Sequence, residues 1–429
     1  MCADVPGKMP GTAGETPALP GKFGLAVSCF FALAQPTMRR WIESLEQFAI
    51  DVILERRYGK RAALLRVFLF ALSGVFRAIV QLRLWLYRKR LLHNHPLGCM
   101  VVSVGNLTVG GTGKTPVVER LARTLHAGGR KVAILSRGYK SRRPPPLKRL
   151  HGRLTGRINE SIPRIVSDGR QILLGSREAG DEPYMLATNL PGVVVLVDKD
   201  RVKSGRYAIE HFGVDTLVLD DGLQYLHLQH RLDIVLIDRQ APFGNEHLLP
   251  RGTLREPPGN LRRASYIFIT KSAGGDNTAL VNRIRRYNRT AEIIECSHSP
   301  RHLQDVYTGK WLPLEALRDT YVGALSAIAA PESFEAALAQ LGAHVELSRR
   351  FIDHHRFNEK EIRAFAARCQ RRDVAMILTT EKDAVRFPRL SGLEVPVYLL
   401  RVEIEILSGH EAWERCIGRI CQPGPPARA

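Results

Sequence analysis

Residues 101–122 read VVSVGNLTVGGTGKTPVVERLA. A short apolar run, a glycine-rich turn and an apolar pattern at helical spacing follow one another, which predicts strand, loop and helix. Gly110, Gly111 and Gly113 lack the Cβ that would bar positive φ or close approach, so backbone N–H groups can converge on an anion at the helix's positive end. Lys114 is placed to reach the β- and γ-phosphates of a nucleotide, and the Thr115 hydroxyl to ligate Mg²⁺. Pro116 suits the first helical turn, and Val117, Val118, Leu121, Ala122 and Leu125 recur until Gly128-Gly129 stops the helix. One position departs from the usual phosphate-loop pattern: Thr108 stands where glycine is expected, six residues before the lysine. The predicted cradle is Thr108, Val109, Gly110, Gly111, Thr112, Gly113, Lys114 and Thr115.

Downstream, buried strands alternate with helix-length segments: 132–135, 193–197, 217–219, 234–237 and 266–269. With 101–104 they predict a mostly parallel sheet covered on both faces, a three-layer α/β/α domain over residues 96–300. Ligands of such sheets sit at the carboxyl ends of the strands, where Asp198 to Arg201, Asp220-Asp221 and Asp238 fall. Residues 140–170 form a basic, proline-interrupted insertion, read as a surface excursion. After an irregular linker, placed at 301–320, the pattern restarts. Strands at 321–325, 374–378 and 397–400 and helices at 332–341 and 359–370 predict a smaller C-terminal α/β domain spanning 321–422. Residues 423–429 read as a disordered tail.

The chain has 429 residues, 45% of them apolar, enough for two domains with buried cores. Its formal charge of +21 calls for an anionic partner: nucleic acid, phospholipid or a phosphorylated substrate. Seven scattered cysteines, without paired metal-ligand spacing, indicate neither a disulfide framework nor a zinc site and fit a reducing compartment. Residues 1–37 read as a disordered leader, in which 24–34 (GLAVSCFFALA) is similar to a short signal core, or as a start assigned too early, with Met38 the real beginning. Residues 38–95 are helical in pattern and strongly basic. Arg66, Arg77 and Arg83 interrupt the apolar stretch 62–87, so a helix lying in or dipping into a membrane interface is expected rather than a crossing one. Trp85, Tyr87 and the Arg88-Lys89-Arg90 cluster suit an anionic cytoplasmic leaflet.

Residues 217–221, LVLDD, form a buried strand ending in two carboxylates, the form taken by the magnesium-positioning partner of a phosphate loop. Asp181-Glu182 and Asp353-His354-His355 are candidates for the base that takes the proton of an acceptor hydroxyl; read from the residues alone, Asp181 fits a helix N-cap and His354 a loop at least as well. Arg201, Arg251 and Arg255 could neutralise transition-state charge, with Glu256 a further acid near the metal.

Taken in order, GNLTVGGTGKTP, SRGYK, GDEPYML, VDKDR, LDDGLQ, FGNEHLLPRGTLREP, APESF, FIDHHRF and TTEKDA, spread over residues 64–387, resemble the tetraacyldisaccharide 4'-kinase family. That family carries threonine or serine at the position of Thr108. The resemblance implies transfer of the ATP γ-phosphate to the 4'-hydroxyl of an acylated glucosamine disaccharide 1-phosphate, giving lipid IVA in lipid A biosynthesis. It puts the catalytic aspartate on Asp181 and its partner on His354, and nucleotide and Mg²⁺ roles on Lys114, Thr115, Asp220, Asp221 and Glu256. Charge stabilisation falls on Arg201 and Arg255, and substrate contact on Ser136, Arg137, Gly138 and Tyr139. It also implies a membrane-associated N-terminal helix at the cytoplasmic face of the inner membrane, two α/β/α domains joined by a two-stranded linker, and a monomer with no nucleic-acid partner. Thr253, where proline is more usual, and Ala327 and Ala330, in a segment that commonly reads Gly-Ile-Ala-Asn-Pro, are departures. A nucleic-acid-stimulated ATPase rests on charge alone, without a binding signature. A GTPase-like switch rests on Lys271 and on 381–383, faintly similar to guanine-reading residues.

Overall fold

The structure is a computed structural model that describes residues 36–138 and 162–422. The leader 1–35, Tyr139, most of the basic insertion and the tail from 423 lie outside these residues. Two helices open the described chain, α1 (Pro36–Ile53) and α2 (Lys60–Arg88). Strand β1 (Met100–Asn106) leads through the glycine loop into α3 (Lys114–Ala127). Then come β2 (Val132–Ser136), β3 (Arg164–Asp168), α4 (Asp181–Asn189), β4 (Val194–Val197), α5 (Arg201–Phe212), β5 (Thr216–Asp220), β6 (Leu232–Asp238) and β7 (Tyr266–Thr270). After α6 (Thr278–Arg285), a long strand β8 (Glu292–Asp305) leaves this half. The second half holds β9 (Trp311–Leu312), β10 (Thr320–Ser326), α7 (Pro331–Gln340), β11 (Ala343–Arg350), α8 (Glu359–Gln370) and β12 (Met376–Thr380). Strand β13 (Val397–Ser408) and α9 (His410–Cys421) close the described chain.

Among the described residues, all thirteen strands belong to one sheet, in the order β11-β10-β12-β13-β8-β7-β6-β1-β5-β2-β4-β3, with β9 on β8. The predicted strands of the first half are all present and pair in parallel, and β2, β4 and β5 are buried along their whole length, as strands covered on both faces must be. Three expectations change. Part of the insertion, residues 164–168, is no excursion but the antiparallel edge strand β3. The start of the linker, residues 301–305, expected to be irregular, continues β8, because β8 finds an antiparallel partner in β13 from Tyr398↔Asp305 to Ser408↔Glu295. And the C-terminal region is not self-contained. β13 runs back along β8, so Ile404 and the α9 residues Trp413, Cys416 and Ile420 join the core built on Leu121 and Leu125 of the first half.

This pairing places the site. β8 begins parallel to β7 and ends against the start of β13, which is antiparallel to β8 and parallel to β12. The strands of the two halves therefore run in opposite directions, and their carboxyl ends meet across the middle of the β8/β13 ladder.

A buried ion network holds the halves together at that level. Arg401 of β13 donates to Glu119 of α3 and, at 2.6 and 2.7 Å, to Glu381 after β12; Arg123 joins Glu119 to Glu403 at 2.7 Å; and Asn189 at the end of α4 donates to Glu381. Removing the central cation would leave the largely buried Glu381 with only the Asn189 amide and Glu119 with only Arg123 and Asn189. Arg401→Met is expected to cost about 3–5 kcal/mol of stability, read as a lower Tm and urea midpoint; an unchanged Tm would refute the role.

Candidate active site

Val109 N donates to Thr253 O at 2.7 Å, and Thr270 Oγ1 donates to Thr112 O at 2.8 Å, pinning both ends of the glycine loop to neighbouring chain. Gly110 and Gly113 have φ of 123° and 76°, which side chains rarely adopt. A Cβ on Gly113 would also lie 2.8 Å from Cε1 of His298 on β8, so this glycine is required by packing as well as by phosphate approach. Open space surrounds Gly110 and Gly111. α3 then starts with its N-cap Gly113 left-handed and no side chain capping it among the described residues, leaving its first N–H groups directed at the cleft. The cleft is a cavity of about 480 Å³ bounded by the loop and Glu182 on one side and by Ser333, Phe334, Lys382 and Leu400 of the second half on the other.

Lys114 Nζ rests on Asn106 Oδ1 at 3.1 Å and lies 3.8 Å from Asp221. Arg255 grips Asp221 through Nη1 at 2.9 Å and Nη2 at 2.8 Å, and also donates to Asn106 O at 3.0 Å. Burial alone would raise the Asp221 carboxyl; Lys114, Arg255 and Arg201 overcome it and hold Asp221 well below the usual carboxylate range. Its neighbour behaves oppositely. Asp220 is pushed up by burial, then by the carboxylates of Glu182 and Asp221, against weaker help from Lys114 and Arg201. Arg201 donates through Nη2 to the Asp220 carbonyl at 2.9 Å and lies over the Tyr225 ring. The hydroxyl of Ser136, expected to face substrate, donates to Asp220 Oδ2 at 3.2 Å. Arg137 is exposed, and Gly138 ends the described segment with φ of 69°.

A hydroxyl from Thr115 and a carboxylate short of positive charge are hard oxygen donors of the kind Mg²⁺ takes together with phosphate and water. Asp220 fits that ion; Asp221 is engaged by two cations. Glu256 accepts from Arg263 at 2.7 Å, Asn260 at 2.8 Å and Gln224 at 3.2 Å, and Gln224 links it to Asn106 of the site. Arg251 is removed from the chemistry. Its side chain reaches Glu55 at 2.5 Å and its N–H the Ser73 hydroxyl at 3.1 Å, tying α1 and α2 to the core. Lys271 pairs with Asp238 at 2.6 Å and Asp383 accepts from Arg386 at 3.0 Å, so both residues of the faint guanine-reading pattern have other partners.

Asp181 opens α4, and His354 follows β11 in a left-handed conformation, φ 67°. The tertiary fold brings them together: His354 Nδ1 is 3.4 Å from Asp181 Oδ2. Two residues that the sequence did not single out complete the cluster. Arg356 Nη2 donates to Asp181 Oδ1 at 3.1 Å, and Arg386 Nε to Oδ2 at 2.9 Å. Burial would raise the Asp181 carboxyl, but the adjacent His354 and the guanidiniums of Arg386 and Arg356, whose charge acts whichever imidazole tautomer is present, bring its pKa down to about 2. Asp181 is thus expected to remain ionised from neutral pH down to about pH 3, gaining a proton only near its folded pKa of about 2. Infrared titration of the Asp181→Asn difference should show that carboxylate band persisting at pH 4; its loss by pH 5 would contradict the arrangement.

A family profile described as tetraacyldisaccharide-1-P 4'-kinase matches residues 65–422. The tetraacyldisaccharide 4'-kinase of Anaeromyxobacter dehalogenans is 40% identical over 365 residues, covering 84% of this chain and 92% of its own length. That of Geobacter sulfurreducens is 37% identical over 349 residues, covering 81% and 92%. A crystal structure of LpxK from Aquifex aeolicus in complex with ATP is similar with a TM-score of 0.65 at 30% identity, over 83% of this chain and 99% of that one.

Proposed function

This chain belongs to the tetraacyldisaccharide-1-P 4'-kinase family, and we propose that it transfers the γ-phosphate of ATP to the 4'-hydroxyl of a tetraacylated glucosamine disaccharide 1-phosphate, forming lipid IVA in lipid A biosynthesis. The observation that carries the reading is the convergence of an uncapped helix N-terminus, Lys114 and the Asp220-Asp221 pair on a cleft closed by the second half.

The loop 110–115 binds the phosphates, with Lys114 leaving Asn106 and Asp221 for the β- and γ-oxygens. Thr115 and Asp220 would hold Mg²⁺, which when bound would supply neutralisation of the phosphate charge. Arg255 orients the Asp221 carboxylate and Arg201 holds the main-chain carbonyl of Asp220, and both stabilise charge from the strand ends. Asp181, with His354 beside it, accepts the acceptor-hydroxyl proton. A carboxylate held near pKa 2 is a weak base toward a resting hydroxyl, so the proton moves only as the hydroxyl oxygen bonds to phosphorus and becomes acidic. The test is direct: purified protein, ATP, Mg²⁺ and the disaccharide 1-phosphate should yield a bis-phosphorylated glycolipid. No transfer under conditions where a homologue works would sink the assignment.

An acylated acceptor favours a reaction at a membrane surface, and use of ATP favours its cytoplasmic side. α2 suits that surface. Over 29 residues only Ala62, Ser73 and Leu84 are buried, while Val67 and Phe70 are 70% and 64% exposed. The arginines do not break it: α2 is one continuous helix, long and apolar enough by length and composition to cross a bilayer. We place it at the interface because Arg66, Arg77 and Arg83 recur along it and the net charge of +21 favours anionic headgroups. Val67→Asp combined with Phe70→Asp is expected to shift the enzyme from the membrane to the soluble fraction. Unaltered sedimentation with membranes would locate the lipid contact elsewhere.

A further inference from the structure

Arg386 comes from the turn after β12, and its side chain is fully buried. Its guanidinium reaches four groups at once. Nε donates to Asp181 Oδ2 at 2.9 Å, Nη1 to Asp383 Oδ1 at 3.0 Å and to the Ala327 carbonyl at 3.3 Å, and Nη2 lies 2.9 Å from His354 Nδ1. Asp383 in turn accepts from Ala327 N at 2.9 Å and Thr380 Oγ1 at 2.8 Å, so the arginine is itself held in place. The loops after β10, β11 and β12 and the start of α4 thus meet at one planar cation.

The contact with His354 has a chemical consequence. A guanidinium carries donors only, so at 2.9 Å it can hydrogen-bond only to an imidazole nitrogen that bears no proton. The 3.4 Å approach of Asp181 to the same nitrogen would need a proton there, because an ionised carboxylate only accepts. Both cannot hold together, and the shorter contact belongs to Arg386. His354 is then the tautomer with its proton on Nε2, the nitrogen 3.6 Å from Asp353 Oδ2.

We propose that Arg386 is a positioning residue for phosphoryl transfer, bridging Asp181 and His354 so that the carboxylate is held in one orientation and the imidazole in its Nε2–H tautomer. The inference rests on the reading of Asp181 and His354 as the proton-handling pair. In this arrangement the two do not share a proton directly. The arginine stands between them, and the proton from the acceptor hydroxyl goes to the Asp181 carboxylate while the imidazole presents a fixed donor at Nε2. The buried side chain, aimed from the second half at a residue of the first, makes this geometry depend on closure of the two halves on one another.

The experiment has two arms. In ¹⁵N-histidine-labelled full-length protein, with the His354 signals assigned by their absence from His354→Gln, Nδ1 should show the shift of an unprotonated nitrogen and Nε2 that of a protonated one; a protonated Nδ1 overturns the proposal. Arg386→Lys and Arg386→Met should each lower kcat by about 10²-fold or more while KM for ATP stays within about twofold, as expected when reacting groups lose their orientation without loss of nucleotide binding. An unchanged kcat in either variant overturns it, and if neither variant binds ATP the spectrum of the unmutated protein decides. Asp181→Ala serves as the control: full activity there defeats the underlying reading, whereas a crippled Asp181→Ala beside an unimpaired Arg386→Lys defeats only the role of Arg386.

Discussion

Asp181→Ala is expected to lower kcat by about 10²–10⁴-fold with little change in KM for ATP, the signature of a group used in proton transfer rather than in nucleotide binding. The carboxylate faces His354, Arg386 and Arg356, while the loop that binds ATP is pinned separately by Thr253 and Thr270. Its loss should therefore leave the phosphate cradle intact. It also leaves Arg386 and Arg356 without a shared anion, so a fall in Tm should accompany the fall in kcat. Asp181→Asn separates the two effects: it keeps an acceptor oxygen for Arg386 but has no carboxylate to take a proton, and should be as inactive as the alanine variant yet more stable. Steady-state kinetics and thermal melts of the pair check this, and turnover at the wild-type rate in either variant would remove Asp181 from the base role.

Lys114→Ala should be nearly as damaging, by about 10²–10³-fold in kcat, with weaker ATP binding as well. Here the effect should divide differently because, in the proposed role, Lys114 would meet the phosphates in both the ground state and the transition state. The fold should survive: Asp221 keeps its bidentate grip from Arg255, and α3 keeps its buried face of Val117, Val118, Leu121 and Leu125. Calorimetric ATP binding and single-turnover rates would measure both components. A variant that binds ATP normally and transfers at the wild-type rate would refute the phosphate-loop assignment.

The first half of the fold was legible because its information is local. β1, the glycine loop and α3 carry their own periodicity, and the strands ending at Ser136, Asp220 and Asp238 are runs of apolar residues that have no stable place outside a covered parallel sheet. β8 and β13 were harder. Residues 292–305, EIIECSHSPRHLQD, include a proline and several polar residues, and they stay extended because each strand supplies the other's hydrogen-bond partners. The β11 stretch AHVELSRR alternates half-buried and exposed positions after Ala343 and was readable in principle as an edge strand. Arg251 was expected to neutralise transition-state charge beside Arg255, yet it is engaged by Glu55. Neighbours in sequence do not share a direction once the backbone turns.

The sequence by itself determined a phosphate loop on a strand–helix unit, two acids at a strand end, a basic apolar helix ahead of them and, through ordered motifs, the family. Tertiary structure alone decided how the proton-handling groups are held. Asp181 and Arg386 lie 205 positions apart, and neither position signals the other. They meet because β13 reverses along β8 and turns the strand ends of the second half toward those of the first. Local patterns encode periodicity and turn chemistry, which depend on near neighbours. The contact of a buried arginine with a distant carboxylate depends on strand direction, which is settled only when the whole sheet is paired.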